Sequence, residues 1–322
     1  MLSFAGVFSV SKFAYIFPGQ ASQTVGMAAD LYAAQASVRA LFSRADEVLG
    51  FALSELCFNG PEEQLAQTAV TQPAVFAHSV AAFQLLEEQG LVPAAVAGHS
   101  LGEYSALVAA GALDFEVGLQ LVKDRSRFMQ DAGDAQPGSM AVLIGLEDAS
   151  VIALCAQVAD VGTVVAANFN APGQVVVSGE KAAVARLGEL AREAGVKRFV
   201  ELAVSGAFHS PLMQPAAEHM RALLEAAPIR APRVPVITNV SATAVEDPEV
   251  LRADLIKQIT HSVRWTESMG ILVEMGFERA VEVGPGSVLK GLMKRIARDV
   301  KILGAGTVDD IAATAAVLQG ES

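Results

Sequence analysis

The sequence has little cysteine, little proline and no long hydrophobic run. Its 322 residues include two cysteines, Cys57 and Cys155, without the spacing of a zinc site or a disulfide framework. This count predicts two reduced thiols in a cytoplasmic protein. The 27 glycines and 13 prolines give no low-complexity or collagen-like signal. No apolar run reaches the roughly 18 residues that a membrane-spanning helix requires, so no membrane partner is expected.

Basic residues are also few, with 23 lysines and arginines against 35 acidic residues and a net charge of −12. Nucleic-acid binding needs a basic surface, so this balance argues against it. No dinucleotide-binding glycine motif follows a predicted strand, and no cluster has metal-ligand spacing, so neither a metal nor a redox cofactor is expected. Residues 1–12 lack the positive charge that begins a signal peptide, and we interpret them as a frayed extension or an early start codon.

Hydrophobic residues are abundant, at 52% of the sequence, which suits one large domain or two modest ones. Helical and strand patterns alternate, and this predicts an α/β fold. In the middle of the chain the order becomes strand, helix, strand, strand, helix, strand, as in a ferredoxin-like unit. We therefore predict a large α/β-hydrolase-like domain, residues 1–137 and 207–322, with an inserted ferredoxin-like subdomain, residues 138–206.

Hydrophobic periodicity and turn residues set the bounds of the predicted elements. Strands are expected at residues 13–17, 94–97, 140–144, 163–168, 174–178, 198–202, 234–238, 279–282 and 301–304. Helices are expected at residues 24–34, 35–48, 51–57, 72–90, 101–110, 116–132, 147–158, 180–194, 211–226, 248–260, 265–275 and 287–297, with a short capped turn at 61–65.

The most informative segment is Gly98-His99-Ser100-Leu101-Gly102, between a short apolar run and a helical pattern. It matches the G-x-S-x-G nucleophile elbow, in which a tight strand-to-helix turn exposes a serine hydroxyl. Backbone N–H groups and the helix dipole can stabilise an oxyanion there. A glycine-rich turn with a solvated serine is the alternative, but the strand-turn-helix context favours Ser100 as a nucleophile.

A serine nucleophile needs a neighbouring base, and the sequence offers five histidines. His99 directly precedes the serine and is expected to point away from the elbow. His78 and His219 lie within predicted helices, where surface or packing roles are expected, and His261 suits a helix C-terminal cap. His209 lies in a loop that returns to the large domain, so it is the candidate base, with a helix-capping role as the alternative.

Four separated motifs, which span most of the chain from about Phe13 to Gly304, carry a family resemblance. They are Phe17-Pro18-Gly19-Gln20, Gly98-His99-Ser100-Leu101-Gly102-Glu103, Gly206-Ala207-Phe208-His209-Ser210 and Glu282-Val283-Gly284-Pro285-Gly286. Together they resemble the malonyl-CoA:acyl carrier protein transacylases of bacterial fatty acid synthesis. The resemblance implies that a malonyl-serine intermediate carries the malonyl group from malonyl-CoA to the phosphopantetheine thiol of acyl carrier protein, supplying fatty acid elongation. It implies no cofactor of the enzyme's own, and we expect a cytoplasmic monomer.

The resemblance also implies roles for individual residues. Ser100 is the expected nucleophile and His209 its general base and acid, together a Ser-His dyad. The backbone N–H groups of Gln20 and Leu101 are expected to form the oxyanion hole. In the substrate site, Arg125 is expected to bind the malonyl carboxylate. Gln258 is expected to lie near the catalytic histidine, and Phe208 to line the acyl pocket.

Other interpretations stay open. The elbow alone fits a serine hydrolase such as an esterase or thioesterase, although no acid with a supporting motif stands between Ser100 and His209. A non-catalytic scaffold is a third possibility, against which the presence of Ser100, His209 and Arg125 together argues. Arg125 alone fits a solvated helix face. So does the basic stretch 289–301, which is otherwise a candidate docking surface for an acidic carrier protein. Ala21 departs from the family, which usually has glycine at this point of the oxyanion loop.

Overall fold

A computed structural model describes residues 12–204 and 206–320 of the chain. The extension interpreted at residues 1–12 lies outside these residues, apart from Lys12. The described chain forms a mixed α/β fold with two separate sheets. Its strands are Phe13–Phe17 (β1), Ala95–Gly98 (β2), Gly138–Ile144 (β3), Val164–Ala171 (β4), Gln174–Glu180 (β5), Arg198–Glu201 (β6), Val236–Ile237 (β7), Ala244–Val245 (β8), Arg279–Val283 (β9) and Lys301–Ala305 (β10).

Helices surround both sheets. The α-helices of the described residues are Ala29–Ala34 (α1), Ala36–Leu49 (α2), Leu53–Asn59 (α3), Glu62–Leu65 (α4), Thr68–Glu88 (α5), Gly102–Ala109 (α6), Phe115–Ala135 (α7), Asp148–Gln157 (α8), Lys181–Glu193 (α9), Gln214–Ala226 (α10), Pro248–Gln258 (α11), Trp265–Glu274 (α12), Val288–Ile296 (α13) and Val308–Gln319 (α14). A short 3₁₀ turn, Pro211–Met213, precedes α10.

The larger sheet has six strands in the order β10-β9-β1-β2-β7-β8. All its neighbours run parallel except β7 and β8, which are antiparallel. Strand β1 lies inside this sheet and every one of its residues is buried, as expected for a parallel strand covered on both faces. The carboxyl ends of β1 and β2 are paired neighbours. The loops that follow them therefore meet at one edge of the sheet, where ligands bind in open α/β sheets.

The smaller sheet has four antiparallel strands in the order β4-β5-β3-β6. Side chains alternate across it, so Leu143 and Val175 face helices α8 and α9, whereas Met140 and Val176 pack into the larger core. Backbone hydrogen bonds tie β4 to Val263, which precedes α12. One face of the small sheet thus lies against the parallel sheet, over the ends of β1 and β2.

Most predicted elements are present, but several bounds were wrong. The helix predicted at 24–34 is confined to Ala29–Ala34, because Gly26 and Ala28 have positive φ and form turns. The helix predicted at 72–90 begins at Thr68 and contains Pro73. Proline cannot donate to the carbonyl of Ala69, and the hydroxyl of Ser126 lies 3.5 Å from that oxygen instead.

Two elements of the structure were not predicted. Strand β8 has two residues and carries no periodic signal. Helix α14 does have a sequence signal, which was missed. The side chain of Thr307 caps the helix by accepting a hydrogen bond from the backbone N–H of Asp310. A threonine followed three residues later by an acidic residue is a common start of a helix.

Candidate active site

Ser100 lies in the tight turn between β2 and α6, with φ of +51°. This left-handed backbone conformation is costly for a serine and is typical of a nucleophile elbow. The two glycines of the motif allow the turn. A Cβ atom on Gly98 would lie 2.0 Å from the carbonyl of Gly102, and one on Gly102 would lie 2.1 Å from the carbonyl oxygen of Phe17. No side chain fits at either position.

His209 contacts the serine. Its Nε2 lies 2.7 Å from Ser100 Oγ, and its Nδ1 lies 2.8 Å from the backbone carbonyl oxygen of Gln258. That carbonyl accepts the Nδ1 proton, which leaves Nε2 free to accept the serine proton. Burial, and then the charge of Arg125, lowers the pKa of His209 to about 3. The imidazole is therefore neutral at neutral pH, the state that a general base needs.

Arg125 lies at the bottom of the site and is fully buried. Its guanidinium donates to Gln72 Oε1 at 2.5 Å, to Gln258 Oε1 at 2.9 Å and to Ser100 Oγ at 3.1 Å. The alternative of a solvated helix face is wrong for Arg125, whereas Arg127 is exposed and pairs with Asp124. Within residues 12–204 and 206–320, no carboxylate lies at ion-pair distance from Arg125, and its Nε has no hydrogen-bond partner.

Gln20 and Leu101 lie in the loops after β1 and β2, and both line the cavity that contains Ser100. In the part of the chain that the structure describes, neither N–H has a hydrogen-bond acceptor. Free N–H groups beside a nucleophile suit an oxyanion, so the prediction of an oxyanion hole stays in place. The next residue in the loop, Ala21, has φ of +79°. This backbone conformation favours glycine, which accounts for the glycine usual in the family and makes Ala21 a strained residue here.

A cavity of about 220 Å³ opens over Ser100. Helix α7 and the loop before α10 supply Arg125 and Phe208 to its wall. The small sheet supplies neutral residues from its inner face, including Asn170 and Val176. His99 also lines the cavity, with Nε2 2.8 Å from Asn170 Oδ1, so its side chain turns from the serine toward the small sheet.

The other histidines lie outside the site. His78 is buried with Nε2 2.8 Å from the carbonyl oxygen of Gly306, and His219 stacks on Phe128. His261 Nδ1 lies 2.8 Å from the carbonyl oxygen of Lys257, at the end of α11, as a helix cap would.

The motif around Glu282 supports the wall of the cavity rather than its chemistry. Both carboxylate oxygens of Glu282 accept backbone N–H groups at the start of α13, from Leu289 at 2.9 Å and Lys290 at 2.8 Å. These bonds cap the helix, and Leu289 and Leu292 of that helix line the cavity. Exposed basic residues follow on the same helix.

Sequence analysis missed three side chains that hold the site together. Gln72 receives the Arg125 bond, Asn239 Oδ1 accepts the backbone N–H of Ser100 at 2.6 Å, and Glu103 is bonded to Gln258 and Asn239. Glu103 had a signal, since it is an acidic residue inside an otherwise apolar helical pattern. Asn239 follows a parallel strand, which is a frequent position for site residues. Nothing in the pattern around Gln72 indicates its role.

The described residues contain no group of three or more histidine, cysteine or acidic side chains that could hold a metal ion. Among these described residues, no helix is long and apolar enough to cross a bilayer.

The chain is similar to known proteins over almost its whole length. The model of the "Acyl transferase domain" family matches residues 14–317. The malonyl CoA-acyl carrier protein transacylase of Escherichia coli K12 is 44% identical over 311 residues, covering 96% of this chain and all of the relative. The enzyme of the same name from Bacillus subtilis is 41% identical over 314 residues, covering 97% and 99% of the two chains.

Solved structures agree with these relatives. The acyl carrier protein S-malonyltransferase of Vibrio cholerae superposes with a TM-score of 0.91 at 46% identity, covering 94% of this chain and all of that chain. A malonyl-transacylase solved in complex with a type II polyketide synthase acyl-carrier protein superposes with a TM-score of 0.92 at 42% identity, covering 96% and 100%. This chain therefore belongs to the malonyl-CoA:acyl carrier protein transacylases, within the acyl transferase family.

Proposed function

We propose that this protein moves the malonyl group from malonyl-CoA to the phosphopantetheine thiol of acyl carrier protein and so supplies fatty acid elongation. One observation carries the proposal: Ser100 Oγ lies 2.7 Å from His209 Nε2 and 3.1 Å from the Arg125 guanidinium. A nucleophile, its base and a cation for a substrate carboxylate thus meet at one oxygen atom.

In the first half-reaction, His209 Nε2 takes the proton of Ser100 while Oγ attacks the thioester carbonyl carbon of malonyl-CoA. The carbonyl oxygen becomes an oxyanion, which accepts hydrogen bonds from the backbone N–H groups of Gln20 and Leu101. The carbon–sulfur bond then breaks. His209 returns its proton to the departing sulfur, so coenzyme A leaves as a thiol and malonyl-Ser100 remains.

The second half-reaction reverses these steps with the carrier's thiol as the nucleophile. His209 takes the thiol proton, the sulfur attacks the ester carbonyl and the proton returns to Ser100 Oγ. The Gln258 carbonyl keeps the imidazole oriented through both halves, in the place that a carboxylate takes in a Ser-His-Asp triad. Residues of this chain and the two substrates balance every proton, so the proposal includes no metal and no cofactor besides the carrier's phosphopantetheine.

Selection of malonyl follows from the position of Arg125. The malonyl ester has one methylene between the reacting carbonyl and the free carboxylate, so that carboxylate stays near Ser100 Oγ. A guanidinium 3.1 Å from the same atom can bind it with two parallel hydrogen bonds. Phe208 closes the acyl pocket beside it.

We propose the finer architecture as well: an α/β-hydrolase-like domain of residues 1–137 and 207–322 with a ferredoxin-like subdomain of residues 138–206. The elbow after a parallel strand supports the first part. The order β4-β5-β3-β6, with α8 and α9 on one face, supports the second. We further propose a monomer in the cytoplasm, since one chain carries all proposed site residues and both cysteines are free thiols.

Acyl carrier protein is the proposed macromolecular partner, with no nucleic acid or membrane as a partner. A relative of this chain has been solved in complex with an acyl-carrier protein. This chain has a net charge of −12, which repels nucleic acid and anionic membrane surfaces. Helix α13 is the local exception, because it carries Lys290, Lys294 and Arg295 beside the cavity.

Intact-protein mass spectrometry tests the function. Wild type, Ser100→Ala and Ser105→Ala are mixed with malonyl-CoA, acetyl-CoA or methylmalonyl-CoA, and holo carrier protein is then added. We expect a malonyl adduct on wild type that passes to the carrier and is missing from Ser100→Ala. Ser105→Ala is the matched control, because Ser105 is buried in α6, the helix after the elbow, and its hydroxyl has no hydrogen-bond partner among the described residues. It should load like wild type.

Two outcomes would contradict the proposal. Rapid release of free malonate without an adduct would identify a serine hydrolase. Neither adduct nor turnover would indicate a non-catalytic scaffold, or an enzyme for another acyl donor.

A further inference from the structure

Glu103 is a buried acidic residue that the mechanism above does not use. It lies in the first turn of α6, three residues after the nucleophile, and is 1% exposed. One of its oxygens, Oε2, accepts a hydrogen bond from Gln258 Nε2 at 2.7 Å and another from the backbone N–H of Asn239 at 3.3 Å. Burying a carboxyl group costs free energy, so its two partners indicate what it does there.

The first partner, Gln258, makes hydrogen bonds to Ser100, His209 and Arg125. Its backbone carbonyl faces His209 Nδ1, and its side-chain oxygen accepts from Arg125 at 2.9 Å. Its side-chain Nε2 donates to the backbone carbonyl of Ser100 at 3.0 Å, as well as to Glu103. If the amide turned over, its NH₂ group would face the guanidinium and its oxygen would face the carboxyl. An acceptor at Glu103 therefore fixes which way Gln258 points.

The second partner, Asn239, holds the strained turn at Ser100. Its side-chain oxygen accepts the Ser100 N–H at 2.6 Å, and its side-chain nitrogen donates to the carbonyl of Gly98 at 2.6 Å. Both bonds act on the elbow, where Ser100 has a positive φ. The bond from the Asn239 backbone to Glu103 anchors this brace to helix α6.

We propose that Glu103 is a positioning residue for acyl transfer, because a single carboxyl oxygen orients both Gln258 and Asn239 and, through them, Ser100, His209 and Arg125. This inference rests on the function proposed above and adds a residue to its machinery. Glu103 touches no substrate. It acts through the two amides that hold the reacting groups.

The required feature is the acceptor oxygen rather than a negative charge. Burial is the largest influence on Glu103 and raises its pKa to about 8. Its two hydrogen bonds and the charge of Arg125 lower the pKa, but by less. Asp254 on α11 raises it further. Tyr104 is next to it on α6, and its own pKa is raised to about 12 by burial. Burial thus favours the neutral acid, and a glutamine can supply the same acceptor oxygen.

The test compares Glu103→Ala and Glu103→Gln with wild type. The first readout is the rate at which a fluorophosphonate probe labels Ser100, which does not depend on malonyl recognition. We expect E103A to slow labelling by about 10- to 100-fold, since a small misplacement of a reacting group costs about that much. E103Q should stay within about threefold of wild type at pH 7, because its side-chain oxygen can accept the same bonds.

Asp254→Asn is the matched control. Asp254 is also a buried acid, 5% exposed, but its hydrogen bond goes to Thr238. D254N should label at the wild-type rate even if it lowers the melting temperature. In malonyl loading, E103A should lower kcat per folded molecule more than it raises KM, with the folded enzyme counted from the final amplitude of probe labelling. A general loss of folded protein would lower that amplitude but not the rate constant of labelling.

Glu103→Asp provides a second test if E103A does not fold, because its side chain is one methylene too short to reach both donors. Labelling of both E103A and E103D at the wild-type rate would refute the inference. The inference would also be refuted if the probe labelled E103Q as slowly as E103A, or if it labelled D254N as slowly as either variant. A wild-type enzyme whose Ser100 is labelled in a Glu103-dependent manner but takes no malonyl would refute the proposed function and leave this inference intact.

Discussion

The floor and the mouth of the cavity differ most in their contact with water. The floor is formed by Arg125, His209 and Gln258, which are at most 4% exposed. The mouth is formed by Leu202 and helix α13, whose first residue, Val288, is 46% exposed. A charge at the floor acts in a low dielectric, whereas water and salt screen the charges at the mouth. We therefore expect a few strong contacts at the floor to choose the acyl group and several weaker contacts at the mouth to recognise the carrier.

Removing the floor's cation should have the largest effect on this contrast. Arg125→Ala is expected to lower kcat/KM for malonyl loading by about 10²–10³-fold, because a substrate carboxylate would be buried without its partner. Acetyl loading, which involves no carboxylate, should fall much less. The measurement is single-turnover loading with both donors.

The exposed neighbour Arg127 is the control, and Arg127→Ala should load both donors like wild type. Equal losses for malonyl and acetyl in Arg125→Ala would contradict a role in selection and leave only a structural one.

Reversing a charge at the mouth should have a smaller effect that depends on salt. Lys294 is exposed on α13, and Lys294→Glu is expected to raise KM for the carrier protein by about 3- to 10-fold at low ionic strength. High salt should reduce the difference between variant and wild type. Lys181→Glu makes the same charge change on α9, behind the small sheet, and serves as the control. A difference that persists at high salt would show that screened charges do not recognise the carrier.

A substitution at Ala21, in the loop after β1, should change the stability of the protein. Ala21 has φ of +79°, so Ala21→Gly is expected to raise the free energy of unfolding by about 1 kcal/mol through relief of backbone strain. Urea denaturation measures this change. Ala66→Gly, at an exposed alanine with φ of −77°, should instead lower stability. Destabilisation by both glycines would show that Ala21 is not strained.

Acidity should have the smallest effect, because the floor excludes the usual titration of histidine. With the pKa of His209 lowered to about 3, the base stays neutral as the pH falls from 7 to 5. The rate of malonyl loading should change by less than about twofold over that interval and fall only toward pH 3. A loss of activity with a midpoint near 6.5 would mean that water reaches the imidazole.

The contrast between floor and mouth also divides what the sequence could reveal. Ser100 follows from a local motif, because a strand, a tight turn and a helix are all encoded within a few residues. The segment around His209 left two roles open, a general base and a helix cap. The segment alone could not decide, because the contact with Ser100 joins residues 109 positions apart. The family resemblance decided in favour of the base, and the catalytic role of His209 stays a prediction until the serine has been labelled.

Arg125 illustrates the limit of pattern analysis. Lys123, Asp124, Arg125 and Arg127 look alike as a charged stretch of helix. Each residue turns the side chain by about 100°, so one charge points into the protein while its neighbours reach solvent. Which one does so depends on the packing of α7 against α5, including the contact with Gln72.

Arg125 has hydrogen-bond partners but no carboxylate partner among the described residues, and this has a consequence for the cycle as a whole. In the free protein an arginine charge is buried without a carboxylate at ion-pair distance in the part of the chain described here. Malonyl-Ser100 would supply that missing charge from its own acyl group, and a buried ion pair that forms only in the folded state would relieve the cost of the uncompensated charge. We therefore expect the loaded intermediate to melt at a higher temperature than the empty protein or its acetyl form. The folded state would then be most stable between the two half-reactions, when the malonyl group on Ser100 also contributes to the stability of the protein.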